Sequence, residues 1–384
     1  RGSWGQMGAE AYYDNSLQEY KYLSLMNTGQ GVFSDLLYQT IYESTIPNPN
    51  FTWEVANNSN IGLDASLLNH KLALELDFFY NKRTNVLTKN PGVVPISTGI
   101  SGNLPIANLG NLINKGYEFK LTYMDKVGDL SYNIGVNGGY AKNNVQYSSD
   151  VANTLPYQQQ IGKVTDSWLV YQYDGVFKDQ AAIDANTIDY SALGLKNGKL
   201  LPGDMKYVDY NGDGKITSDD RVPLDHNGTP TFTGGLVLGG QYKGFDFNVL
   251  VQGATGGMRR MGPTESGLIG NYLEWNYDHR WTIDNPSDTD PRLTNRSDTY
   301  YTSTDNTYWI RSTNYIRLKN VELGYTLPTN LVSRIGLSTI RFYVNGINLF
   351  TIDKIKIWDP EADNSTGQFY PQSKIISFGL KAVL

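Results

Sequence analysis

The densest chemical signal in the 384-residue chain is Asp209-Tyr-Asn211-Gly-Asp213-Gly214-Lys215-Ile216-Thr217-Ser-Asp219-Asp220. Side-chain oxygens stand at positions one, three and five, a glycine at six permits a sharp turn, and a carboxylate closes position twelve. That is the spacing of an EF-hand-type Ca²⁺ loop, with a backbone carbonyl serving at position seven. The register assigns Asp209, Asn211, Asp213, Lys215 (through its carbonyl) and Asp220 to a structural Ca²⁺. Asp220 stands where such loops carry Glu, so bidentate closure is lost or made differently. The competing reading is a turn cluster of Asp, Asn and Gly with no ion. An ion here would staple a loop and do no chemistry.

No catalytic constellation emerges. His70, His226 and His279 fall in a turn and two loops, Cys is absent, and neither HExxH nor GxSxG occurs. Gly253-Ala-Thr-Gly256-Gly257 lacks the Lys-Ser/Thr of a phosphate loop. Asp359 with Glu361, and Asp219 with Asp220, are carboxylate pairs of the kind a glycosidase needs, but neighbours this close in sequence read as solvated loop charge. The expectation is a protein that is not an enzyme. Trp275, Trp281 and Trp358 lie deep in non-periodic segments, where their rings suit stacking on substrate sugars or packing against a lid protein. An interfacial aromatic girdle explains them equally well, and is the favoured reading for Trp309 at a strand start.

The elements that would position these residues are strands. The last stretch alternates to the final residue: Ile376, Phe378, Leu380, Ala382 and Leu384 on one face, Ser377, Gly379 and Lys381 on the other. Earlier arms repeat this. Ile61, Leu63, Ala65 and Leu67 turn at Asn69-His70 into Leu72, Leu74, Leu76, Phe78 and Tyr80. Tyr117 to Tyr123 turn at Lys126–Asp129 into Leu130 to Val136. Leu236 to Tyr242 turn at Lys243-Gly244 into Phe245 to Val251, and Tyr315 to Leu327 lead through Pro328 into Ile340 to Val344.

Connections near 69, 127, 244 and 330 are short, whereas 9–50, 87–113, 144–231, 257–308 and 351–373 are long. Strict alternation of short and long joins is the habit of a transmembrane barrel with short periplasmic turns and long extracellular loops. The fold class read from this is all-β: an antiparallel transmembrane β-barrel with about ten strands in this chain. The stretches 144–231 and 257–308 are its large extracellular loops. The C-terminus then lies in the periplasm, and lumen-facing Glu75, Asp77, Glu118 and Lys120 line a passage. The abrupt start at Arg1 suggests that strands precede it.

Composition is compatible. With 32 Lys+Arg against 38 Asp+Glu the net charge is -6, which argues against a nucleic-acid partner. Tyr 28, Trp 7 and Gly 39 suit aromatic girdles and turns. Mean hydropathy is negative, as it is for a barrel whose strands are half wet.

Several motifs occur in a telling order: Asn111-Leu-Ile-Asn114-Lys-Gly116-Tyr-Glu118, Pro202-Gly-Asp204-Met-Lys-Tyr207, the calcium-like loop with Asp220-Arg221, and Tyr242-Lys-Gly-Phe-Asp246. Arg280-Trp-Thr282, Pro291-Arg292, Tyr315-Ile-Arg-Leu-Lys-Asn-Val-Glu-Leu-Gly-Tyr-Thr-Leu-Pro328, Asn348-Leu-Phe350 and Asp359-Pro-Glu361 follow. Over essentially its whole length the chain resembles the C-terminal part of SusC/RagA-type TonB-dependent outer-membrane transporters of Bacteroidetes. The resemblance implies a plugged barrel of about 22 strands, with the plug domain and Ton box outside this chain. It implies a SusD-like surface lipoprotein as lid, coupling to TonB-ExbB-ExbD, and import of glycan or peptide. Leu384 departs from it, since an aromatic is usual there. The rivals are a secreted calcium-dependent carbohydrate-binding β-protein and a β-rich glycoside hydrolase.

Overall fold

The computed structural model describes residues 1–9, 22–89, 97, 104, 106–148, 155–195, 199–262, 273–293, 305–362, 370 and 372–384. In chain order, β1 (Gly2–Ala9) is followed by a separate hairpin, β2 (Leu25–Phe33) and β3 (Leu36–Thr45), and then by β4 (Glu54–Leu67), β5 (Leu72–Lys89), β6 (Ile106–Val127) and β7 (Leu130–Tyr147). Short strands β8 (Leu169–Tyr171), β9 (Tyr173–Val176), β10 (Met205–Tyr207) and β11 (Arg221–Pro223) precede β12 (Phe232–Tyr242) and β13 (Phe245–Thr255). Last come β14 (Met258–Arg260), β15 (Ile310–Ser312), β16 (Tyr315–Thr326), β17 (Thr339–Asp353) and β18 (Ile375–Val383).

Ten of these form one sheet in the order β1-β4-β5-β6-β7-β12-β13-β16-β17-β18. Every neighbour in that order is the next strand of this sheet along the chain, so the sheet is an up-and-down meander. This is the connectivity a run of hairpins produces, and it needs no crossover. The strands at its two ends, β1 and β18, do not pair with each other in this chain.

The period of two in the sequence becomes two faces through register. Phe247 on β13 stands opposite Leu323, Leu323 opposite Val344, and Val344 opposite Phe378. One residue along, Asn248, Glu322, Asn345 and Ser377 form the next row. Opposed residues in an antiparallel pair point to the same side, so an apolar row and a polar row alternate across four strands. The apolar row is uncovered: Phe247 is 40 % exposed, Leu323 53 % and Phe378 84 %. Phe78, Leu121, Phe342, Phe350, Ile376 and Leu380 are exposed as well. A water-soluble sandwich would bury this face. Leu74, Phe119 and Leu380 are none of them buried. Among the described residues no helix is long and apolar enough to cross a membrane.

The described chain divides into two compact units, residues 1–62, 78–116 and 141–165 in one and residues 63–77, 117–140 and 166–384 in the other. In the first, β1 pairs with β4 from Gly2↔Ile61 to Ala9↔Glu54. Glu54 is 2 % exposed, accepts the Leu87 N–H at 3.0 Å and lies 3.6 Å from Arg83.

Three sequence expectations need correction. Residues 9–50 are not simply loop, for they contain the β2–β3 hairpin. The connection read as 87–113 is shorter, because β5 runs to Lys89 and β6 begins at Ile106. At 18 and 22 residues these strands exceed the ~9–11 needed to cross a bilayer. Trp309 does not belong to an interfacial girdle. It is 6 % exposed in a core built by the long connections, beside Tyr171, Phe177, Tyr190, Met205 and Tyr207.

That core makes the connections 144–231 and 257–308 more than loops. β8 pairs with β11 and β9 with β10, while Tyr171 bridges to Asn306 of the other connection. Asn306, 1 % exposed, donates from Nδ2 to Tyr207 Oη at 3.3 Å and accepts the N–H groups of Tyr308 and Trp309. Burying the aromatic cluster is what holds so long a run of irregular chain in place.

Candidate functional site

Two places bring functional side chains together: the polar face of the sheet and the loop body beside it in sequence. On the polar face a cavity of about 600 Å³ is lined by Glu75, Asp77, Glu118, Lys120, Gln252 and Tyr315 among others. The first four are the residues the alternation assigns to the wet side, and the structure brings all four to one wall. Lys120 donates to Glu75 at 2.9 Å. Glycines 138, 139, 234, 235 and 253 floor the cavity, so its base is backbone.

Charged networks brace the same face. Arg341 pairs with Asp246 and Glu322, and Asn345 donates to Asn320 and Glu322. Arg317, 2 % exposed, pairs with Asp359 at 2.8 Å and with Glu361, and donates from Nε to Thr351 at 2.9 Å. Asp359 and Glu361 are therefore engaged by one guanidinium, which explains their proximity without catalysis. Arg317, Gln252 and Tyr315 were given no site role by the sequence. The available signal was an arginine at a wet position within an otherwise apolar strand start.

In the loop body the three tryptophans have different surroundings. Trp275 stacks on His279 with ring centroids 4.7 Å apart and carries the Arg311 guanidinium 5.0 Å from its centroid. Trp281 donates from Nε1 to the Lys178 carbonyl at 2.9 Å and lies over Gly203, where a Cβ would collide with the ring. Trp358 is 8 % exposed, packed with Met261 and Ile355. Its surroundings are protein, whereas the other two are partly open.

The Asp209–Asp220 loop is closed by its own backbone. Asp209 accepts the N–H groups of Gly212, Asp213 and Gly214; Asn211 accepts that of Asp213, and Asp213 that of Lys215. Asp220 is fully buried and accepts from Tyr210 and Thr217, both at 2.8 Å. Asp189 and Lys215 form a bridge that stitches the loop to the Tyr190 segment. No cluster of three or more His, Asp or Glu that could hold a metal ion is present among the described residues. Of the calcium register, Asp209, Asn211 and Asp213 are hydrogen-bonded to one another, with Asn211 Nδ2 3.2 Å from Asp213. All three are at least partly solvent-accessible.

Burial sets the titration of this body. The Tyr190 phenol is pushed up to about 12, chiefly by burial. Burial also drives Tyr207, Tyr173 and Tyr308 well above the usual phenol range. Asp189 is held below the usual carboxylate range by the N–H and hydroxyl of Ser191.

A meander with one wet and one oily face, whose long connections build a core of their own, matches a known family. The model of the TonB dependent receptor-like β-barrel covers residues 8–349. The chain belongs to that family. This family is one of outer-membrane barrels, and the exposed apolar rows are the surface such a barrel turns to lipid. TonB-dependent receptor P3 of Formosa agariphila is 27% identical over 384 residues, covering 94% of this chain and 36% of that protein. TonB-dependent receptor SusC of Bacteroides thetaiotaomicron is 25% identical, covering 99% of this chain and 37% of SusC. The chain thus spans little more than a third of the curated relatives it matches. The solved RagAB peptide importer in its open-open state superposes with a TM-score of 0.69 at 22% identity, over 100% of this chain and 40% of that one.

Proposed function

We propose that this chain is the C-terminal part of an outer-membrane importer of large nutrients, oligosaccharides or peptides. The observation that carries this reading is the pairing of rows: Phe247–Leu323–Val344–Phe378 outward to lipid, Asn248–Glu322–Asn345–Ser377 inward to water. Such a wall separates a bilayer from an aqueous bore. In this reading the wall completes a barrel of about 22 strands with segments outside the chain. The short joins lie in the periplasm with the C-terminus, and the loop body faces outward. The partners are a SusD-like surface lipoprotein above the loop body and TonB-ExbB-ExbD acting through the N-terminal part. The names of SusC and of the RagAB peptide importer support the class. Trp275 and Trp281, partly open in the loop body, are the aromatic faces offered to cargo or lid. Cargo binding followed by gated passage needs no bond chemistry, so the protein is not an enzyme.

Deleting the gene for the full-length protein should abolish growth on one class of polymeric nutrient and leave growth on its monomers intact. Normal uptake of every oligosaccharide and peptide by the deletion strain would overturn the reading.

We also propose that the Asp209–Asp220 loop binds a structural Ca²⁺. Asp209, Asn211, Asp213 and the Lys215 carbonyl supply the oxygens at the surface of the loop, whereas Asp220 at position twelve is fully buried and holds three loop N–H groups. Tyr210, 44 % exposed within the loop, is placed to sensitise terbium luminescence. Terbium emission displaced by Ca²⁺ and lost in Asp209→Ala supports the site. Emission that Asp209→Ala leaves intact removes it.

A further inference from the structure

We propose that residues 354–362, in the connection between β17 and β18, form a strap latched across the polar face by Arg317, and that its release opens the polar cavity. The inference rests on the import reading only for the side from which the cavity is approached. Three observations converge. The guanidinium of Arg317, on β16, is buried and pairs with both Asp359 and Glu361 of the strap. The carboxylate of Glu361 also accepts from Tyr315 Oη at 2.9 Å and from Gln252 Nε2 at 3.1 Å. Those two side chains belong to the wall of the 600 Å³ cavity. The strap therefore ends on the rim of the cavity, touching the groups that line it.

The position of that rim follows from the strands. Tyr315 is the first residue of β16 and Gln252 lies near the end of β13, so both stand at the end of the sheet that carries the long connections. A solute entering from that end meets the strap where it touches Gln252 and Tyr315. The rest of the strap is seated on one small apolar cluster. Ile355 and Trp358 pack on Met261, and Lys354 donates its N–H to the Asn314 carbonyl at 3.2 Å. Lys356 takes φ 64, a left-handed conformation a β-carbon disfavours. A segment that carries local backbone cost and gathers both its carboxylates on one guanidinium has the make-up of a two-position element.

The latch has a defined chemistry. Arg317 offers its fork to two carboxylates, and Lys319 lies 3.9 Å from Glu361, so two cations face two anions. Removing one partner of a buried pair leaves the others desolvated and uncompensated, which favours the open position strongly. A cargo whose hydroxyl or amide donors take over Glu361 would weaken the latch in the same direction.

The test uses the full-length protein in intact cells, with Thr233→Cys in the cavity wall as reporter and a membrane-impermeant maleimide as probe. Ile283→Cys, in the loop body and 85 % exposed, serves as the control for sidedness. Arg317→Gln should raise the labelling rate of Cys at 233 about tenfold or more, given the size of buried-pair effects. Glu361→Gln should raise it less, and Arg317→Lys, which keeps the charge but loses the fork, should fall between wild type and Arg317→Gln. Heat-modifiability on gels confirms that each variant is a folded barrel. If Arg317→Gln does not fold, Glu361→Gln decides the matter. Labelling at the wild-type rate in a folded latch variant overturns the strap. Failure of Ile283→Cys to label would instead sink the outward placement of the loop body, and the same rates measured on purified protein then decide the latch.

Discussion

Arg341 on β17 reaches past the intervening strand β16 to pair with Asp246 on β13, its Nε 3.0 Å from Oδ2. The path is clear because the β16 residue opposite Asp246 is Gly324, where a Cβ would strike the guanidinium. A glycine near the end of β16 thus lets one cation tie three strands together. Gly324→Val should break the Arg341–Asp246 pair and cost about 1–3 kcal/mol, the range for stranding a partly buried polar partner. Urea unfolding in lipid vesicles would read it. An unchanged midpoint would show that the arginine finds an equivalent partner elsewhere.

Phe378→Arg places a charge on the outward row of β18. If that row meets the bilayer midplane, the substitution should cost about 2–4 kcal/mol, and less nearer an interface. Ser377→Arg, one residue away on the wet row, should cost far less. Equal losses for the two would remove the distinction between faces.

The buried phenols predict a pH dependence of the loop body. Tyr190 titrates near 12 when folded against about 10 when unfolded, so the folded state favours the protonated phenol. The associated stability is fully present below pH ~10 and is lost as pH rises through about 12. Absorbance of phenolate near the usual tyrosine range should therefore show a resistant class that ionises only with unfolding of the body. A single titration of every tyrosine near its unperturbed value would contradict the packing around Tyr190 and Tyr207.

Asp220 is fully buried and takes three loop N–H groups. Asp220→Ala strands those donors and should destabilise the loop locally by about 1–3 kcal/mol, with or without an ion. Hydrogen exchange at Tyr210, Asn211 and Thr217 should accelerate while β12 to β18 stay protected. Protection unchanged at those three amides would mean that the carboxylate is dispensable.

The long strands were legible because lipid on one side and water on the other impose a strict period of two, and few local signals are so regular. The β2–β3 hairpin was not, since Asn27, Gly29, Gln30 and Gly31 interrupt its alternation and neither of its faces is cleanly polar or apolar. Trp309 was misplaced for a different reason. Adjacency to a strand suggested a membrane girdle, whereas its burial depends on Tyr171, Phe177 and Tyr207, brought near only by tertiary folding. The Arg317 latch joins residues 42 and 44 apart, and nothing in local spacing announces a contact across such a distance. The calcium-like register, by contrast, is wholly local, and its turn geometry was readable residue by residue.

The account stands on the two faces of β18 and its neighbours. Spin labels placed one at a time from Ile376 to Lys381 in the full-length protein, reconstituted in bilayers, would report access to oxygen, which concentrates in lipid, and to a water-soluble nickel complex. Oxygen access should peak at 376, 378 and 380, and nickel access at 377, 379 and 381. Oxygen and nickel profiles without that alternation, or with the two sets exchanged, would contradict it.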